Sequence, residues 1–137
     1  MPALTVNHCL ICEDIRLERR NLNSYMGVYG STPDVGIRLR DFKQETGFVF
    51  VFTGPGLDGK FNLRAEMHSS SGPLDFKMTP EMFTLDIKQG GGAFVFAFRV
   101  RGVFPSPGKY HIVVFEDSHE FFRGEFALFQ GQDSDFA

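Results

Sequence analysis

Apolar and polar positions alternate along this chain in at least seven separate runs, and a period of two marks a strand with one buried face. Val6–Asp14 opens as an apolar run, the charged segment Arg16–Asn21 reverses it, and Leu22–Gly30 returns as its hairpin partner. Val35, Ile37 and Leu39 alternate with Gly36, Arg38 and Arg40. Phe48, Phe50 and Phe52 interleave with Val49, Val51 and Thr53, which predicts a strand buried on both faces. Phe61, Leu63, Ala65 and Met67 oppose Asn62, Arg64, Glu66 and His68. After Thr79-Pro80-Glu81, read as a turn or as one helical turn with proline at its first position, comes the short strand of Phe83, Leu85 and Ile87. Phe94, Phe96, Phe98 and Val100 oppose Val95, Ala97, Arg99 and Arg101.

The last long segment, Val103–Phe129, is a β-hairpin: a Pro/Gly start, an apolar run, the polar turn Glu116–Glu120 and a second apolar run. Gly54–Gly59, Ser69–Pro73 and Gly90-Gly91-Gly92 break regular structure between runs. No amphipathic helix of a dozen residues appears. The expected fold is therefore all-β: one immunoglobulin-like antiparallel β-sandwich of seven to nine strands, with a closed barrel or jelly roll as the alternative. Phe50, Phe52, Leu63, Phe96, Phe98, Tyr110, Ile112, Val114 and Phe126 form its expected core. Residues 1–129 make one domain, and Gln130–Ala137 reads as a frayed acidic tail.

Composition sharpens this picture. Seventeen Phe, three Tyr and no Trp accompany 15 Gly and 7 Pro, a mixture that suits aromatic pleated surfaces joined by tight turns. The net charge of −3 gives no basic excess, which argues against general nucleic-acid binding. Neither a cationic, apolar leader nor a run of roughly 20 apolar residues is present, so the expected location is cytoplasmic and no membrane partner is expected.

The closing hairpin resembles bacterial immunoglobulin-like and fibronectin-like domains, in which the penultimate strand begins Pro-Gly-x-Tyr; Pro107, Gly108 and Tyr110 carry the match. Over its whole length the chain also resembles a small bacterial immunoglobulin-like domain family of unknown function, through Cys12-Glu13-Asp14, Gly27-Val28-Tyr29 and Phe104–Tyr110. The resemblance implies a sandwich and no activity.

Candidate chemistry is sparse. Cys9 and Cys12 spell C-x-x-C, but residues i and i+3 of a strand point to opposite faces, and no second ligand pair completes a zinc site. Buried, inert thiols are expected, with no metal and no cofactor. Gly90–Gly92 lacks the trailing Lys and Ser or Thr of a phosphate loop. His8, His68, His111 and His119 include no His-x-His, Ser69-Ser70-Ser71 sits in no nucleophile elbow, and the neighbours Glu13-Asp14 and Glu116-Asp117 split across strand faces. An enzyme is not expected.

Two constellations remain. Arg38, Arg40, Arg64, Arg99 and Arg101 all fall on the polar phase of their strands; if those strands are neighbours, the guanidiniums form a ladder able to hold a small anion. The competing reading pairs them with Glu66 and Asp86. Phe121-Phe122 places aromatic rings on both faces of the last strand, which suits an association surface or a thick core. The leading functional expectation is a non-catalytic interaction or assembly module that self-associates, its partner a protein or a second copy. A binding domain for a small anionic ligand is the alternative.

Overall fold

A computed structural model describes residues 4–17, 23–55, 59–87 and 94–132. Most of the charged turn expected over Arg16–Asn21, the glycine run Gly90–Gly92 and residues 133–137 of the expected tail lie outside the described residues.

Eleven strands follow one another: β1 (His8–Leu17), β2 (Asn23–Ser31), β3 (Gly36–Leu39), β4 (Thr46–Gly54), β5 (Gly59–Ser69), β6 (Gly72–Leu74), β7 (Lys77–Thr79), β8 (Phe83–Ile87), β9 (Phe94–Gly102), β10 (Gly108–Glu116) and β11 (His119–Gln130). Eleven exceeds the expected seven to nine, because β6 and β7 have three residues each, too few for alternation to announce. Thr79-Pro80-Glu81 forms a bend and no helical turn.

The strands make two sheets packed face to face and not closed into a barrel. Sheet A runs β2-β1-β4-β9-β7, and sheet B runs β3-β11-β10-β5-β6, with β8 also paired to β5. This is the expected all-β sandwich. Nearly every pairing is antiparallel; the exception joins β3 to β11, where Ala127, Leu128, Phe129 and Gln130 stand opposite Gly36, Ile37, Arg38 and Leu39.

Alternation sets what fills the space between the sheets. On β9, Phe94, Phe96, Phe98 and Val100 are buried while Val95, Arg99 and Arg101 face solvent. All nine residues of the expected core are buried in the main cluster. Its centre is aromatic: Phe52 stacks on Phe96 with centroids 4.9 Å apart, and Phe50 meets Phe126 across the sheets at 5.5 Å. Quadrupolar rings favour such offset and edge-on contacts. Among the described residues no polar or charged side chain is buried.

β4 is buried on both faces, as its unbroken apolar run predicts. Phe48, Phe50 and Phe52 enter the main core, whereas Val49 and Val51 join Cys12 in a second cluster on the outer face of sheet A, flanked by Leu10, Ile15 and Ala97.

The Pro-Gly-x-Tyr segment works as its residues suggest. Gly108 takes φ +148°, a conformation side chains resist, and starts β10. Two positions on, Tyr110 is buried; its hydroxyl donates to the Ser106 carbonyl and accepts from the Ser106 N–H. One phenol thus satisfies both backbone groups of the preceding turn.

Candidate functional site

The five arginines do not share a face, because their strands belong to different sheets. Arg99 and Arg101 lie on β9 in sheet A, Arg64 lies on β5 in sheet B, and Arg38 and Arg40 lie on and just beyond β3 at the far edge of sheet B. The single ladder considered above is therefore divided. Carboxylates hold Arg64, Arg99 and Arg101: Arg64 bonds Glu66 and stacks at 4.1 Å over the Phe115 ring, Arg99 meets Asp14 at 2.6 Å, and Arg101 meets Glu45 at 3.0 Å. Glu66 is thus a partner as the competing reading held. Asp86 is not; it stands opposite Lys60 on β5.

Phe121 and Phe122 do not point to opposite faces. Val114 pairs with Phe122 and Phe115 with Glu120, so Phe121 is the extra residue of a β-bulge, which interrupts alternation. Both rings pack against the main core, Phe122 edge-on to Phe52 at 5.6 Å. Both side chains stay half-buried. The two cysteines do separate: Cys9 lies in the main core, and Cys12 lies in the outer cluster of sheet A. Burial pushes the Cys9 thiol up to about 12, and burial likewise raises Cys12.

The outer face of sheet B carries the densest set of titratable groups. His68 stands opposite His111, and His111 opposite Glu125. His68 Nε2 lies 2.9 Å from Glu66 Oε1. Burial would raise the Glu66 carboxyl, but hydrogen bonds from His68 and Arg64 outweigh it and hold the carboxyl below its usual range. The hydrogen bond from Arg123 does the same for Glu120. Among the described residues no three His, Cys, Asp or Glu side chains are arranged to hold a metal ion. Glu66, Glu120 and Glu125 each have a basic partner, in Arg64 and His68, Arg123 and Lys109, which makes the group a solvated charge network over the buried Val113.

The unusual feature is an edge. A sheet's outer strand presents unpaired N–H and C=O groups, and natural sheets blunt such edges with short strands, charges or proline. Four outer strands here follow that rule: β3 has four residues and carries Arg38, β6 has three and carries Pro73, β7 has three and carries Lys77, and β8 has five and carries Asp86. β2 breaks it. It runs nine residues, Asn23–Ser31, with no charge and no proline, in a chain that is 23% charged. Three of its large side chains are exposed: Tyr25 (38%), Val28 (52%) and Tyr29 (43%).

β2 is held in place by its pairing with β1, continuous in register from Asn23 opposite Leu17 to Val28 opposite Cys12, before an irregularity at Tyr29. Gly27 takes φ +63°, and a Cβ there would lie 2.6 Å from Glu13 Oε2, so a larger residue would not fit unchanged. Tyr29 anchors the other end, its ring edge-on to Phe48 at 5.5 Å. Elsewhere in sheet A, the far side of β9 over Phe94–Phe98 has no ladder partner among the described residues, but its inward rings are covered by Phe83 of β8 and one large side chain, Val95, is exposed. Alternation predicts β2 as the hairpin partner of β1, which it is, but strand order is not legible in the sequence and the outer position of β2 is not predicted. The available signal was the absence of charge over Asn23–Ser31.

No protein-family profile matches the chain, and no curated protein matches it by sequence. Among solved structures it is similar to the periplasmic chaperone SfaE, with a TM-score of 0.44 and 10% identity over 71% of this chain and 55% of that one. It is also similar to WR4, an MSP family member of C. elegans, with a TM-score of 0.41 and 9% identity over 70% of this chain and 90% of that one. The match to SfaE thus spans about half of that protein's length.

Proposed function

We propose that the protein is a non-catalytic interaction module that associates with a second copy of itself through the β2 edge of sheet A. The contrast between β2 and the other outer strands carries the reading: one long, uncharged edge with exposed Tyr25, Val28 and Tyr29 beside four short, charged or proline-bearing ones. Two copies of β2 meeting antiparallel about a twofold axis satisfy each other's open backbone groups, and no charge on either strand faces a like charge. This contact does not call on Phe121 and Phe122, whose half-buried rings pack against the core on the other sheet.

Size-exclusion chromatography with light scattering tests this over a range of protein concentrations. The expected mass is twice the 15.5 kDa of the chain. Val28→Lys puts a charge against its own copy and is expected to yield a monomer with unchanged far-UV circular dichroism. Val95→Lys, at the other side of the sheet, leaves the dimer intact. A wild-type monomer at every concentration, or a dimer that survives Val28→Lys, refutes the proposal.

A further inference from the structure

Independently of the β2 edge, sheet A presents a second feature at its opposite side. Lys77 on β7 stands directly across from Arg101 on β9, and Thr79 stands across from Arg99. Like charges directly opposite on a ladder repel, so the Lys77–Arg101 pair costs stability unless a negative group lies between. Glu45 supplies part of that charge, reaching Arg101 Nη1 at 3.0 Å. The other edge of the guanidinium, Nε and Nη2, makes no hydrogen bond to a described residue and lies over Gly47. A first side-chain carbon at Gly47 would sit 3.8 Å and 3.7 Å from those two nitrogens. Nε and Nη2 are the side-on fork that binds two oxygens of one anion.

Around this point the surface dips into a depression of about 340 Å³ bounded by Gly47, Lys77, Thr79, Arg99 and Arg101, with Glu13 in the same lining. Among the described residues no carboxylate lies within ion-pair distance of Lys77. Asp14 holds Arg99 through one nitrogen, Nη2, at 2.6 Å. Ion pairs between groups as exposed as these contribute little, so both guanidiniums keep most of their capacity for another anion. Glu13, Asp14 and Glu45 offset the three cations in overall charge, which makes the site a weak one and leaves its selectivity to geometry.

We propose that this depression binds a phosphate group, with the Arg101 fork and the Lys77 ammonium as its principal contacts and Arg99 and the Thr79 hydroxyl at its margin. Tetrahedral oxygens meet donors arriving from two strands better than a planar carboxylate does. The phosphate is either free or the end of a small phosphomonoester, since the donors described read the phosphate alone.

An NMR amide-shift titration of the full chain with inorganic phosphate, and separately with methyl phosphate, tests the site at ionic strength matched with sodium chloride. Saturable shifts confined to β7, to Arg99–Gly102 and to the neighbourhood of Gly47 are expected. Lys77→Gln and Arg101→Lys each weaken binding by about tenfold, the second because it keeps the charge but loses the fork. Lys109→Gln, on sheet B, changes the net charge as Lys77→Gln does and leaves binding unaltered. Saturation by inorganic phosphate alone assigns the site to the free ion, and saturation by both assigns it to a phosphomonoester end. Shifts that do not saturate, that spread over both sheets, or that persist in Lys77→Gln and Arg101→Lys overturn the proposal.

Discussion

Phe104→Ala is expected to destabilise the fold by about 4–5 kcal/mol, near the top of the range for deleting a buried phenyl group. Phe104 belongs to the connection between β9 and β10, yet it is 1% exposed. Its ring touches four others: Phe76 at 4.8 Å, Tyr110 at 5.0 Å, Phe48 at 5.8 Å and Phe126 at 6.2 Å. Loss of the ring's burial and its cavity account for about 3–4 kcal/mol, and weakened edge-on contacts add about 1 kcal/mol because the neighbours relax in part. With a guanidinium m-value of roughly 3 kcal/mol/M, the unfolding midpoint falls by about 1.5 M. The adjacent Val103 is 46% exposed, and Val103→Ala is expected to change stability by no more than about 0.5 kcal/mol. Equilibrium unfolding followed by circular dichroism reads both variants. A Phe104→Ala midpoint within about 0.3 M of wild type, or an equal loss in Val103→Ala, would show that the connection does not plug the core.

Three further outcomes follow from the same contacts. Tyr110→Phe keeps the ring but removes the hydroxyl that serves Ser106; a loss of about 1 kcal/mol, read as a melting temperature lower by about 4 °C, is expected, and no change would mean the turn finds other partners. The carboxyls of Asp14, Glu66 and Glu120 are all held below their ordinary values, chiefly by hydrogen bonds from Arg99, from His68 and Arg64, and from Arg123, with burial opposing. Groups depressed in the folded state stabilise it above their unfolded pKa and lose that contribution as pH falls through the folded one, so stability should decline below about pH 4.5; a gain on acidification, or a decline undiminished in Glu66→Gln, would contradict this. Iodoacetamide at about pH 8 should label neither Cys9 nor Cys12 until denaturant is added, because both thiols are buried and protonated; labelling of the native protein at either position would show that its cluster opens.

Period-two alternation carried most of the fold. It marked both faces of β4, the inward row of β9 and all nine expected core residues, because burial acts locally on each strand. It did not carry strand order, which depends on pairings between distant segments, and the arginines show the cost: Arg64 and Arg99 have the same phase but stand on the outer faces of different sheets. β6 and β7 were too short to leave a pattern. The Phe121-Phe122 doublet was misleading for a different reason. A strand with perfect alternation would split the two rings, whereas the bulge at Phe121 turns both to the core, and a bulge has no mark in apolar content alone. The β2 edge needed two facts at once, an uncharged sequence and an outer position, and the sequence supplied the first.

The parallel pairing of β3 with β11 bears on how the protein is made. β11 lies between β3 and β10, and its Phe126 and Leu128 are fully buried, so sheet B has no continuous middle until residue 130 has left the ribosome. A nascent chain ending before His119 holds β3 and β10 as two unfinished edges and leaves apolar surface uncovered between the sheets. Pairings that join residues some 90 positions apart also form slowly, because a long loop must close before the contact repays it. The window in which this sandwich is exposed to mispairing therefore stays open until β11 emerges, and it closes with the arrival of that one strand.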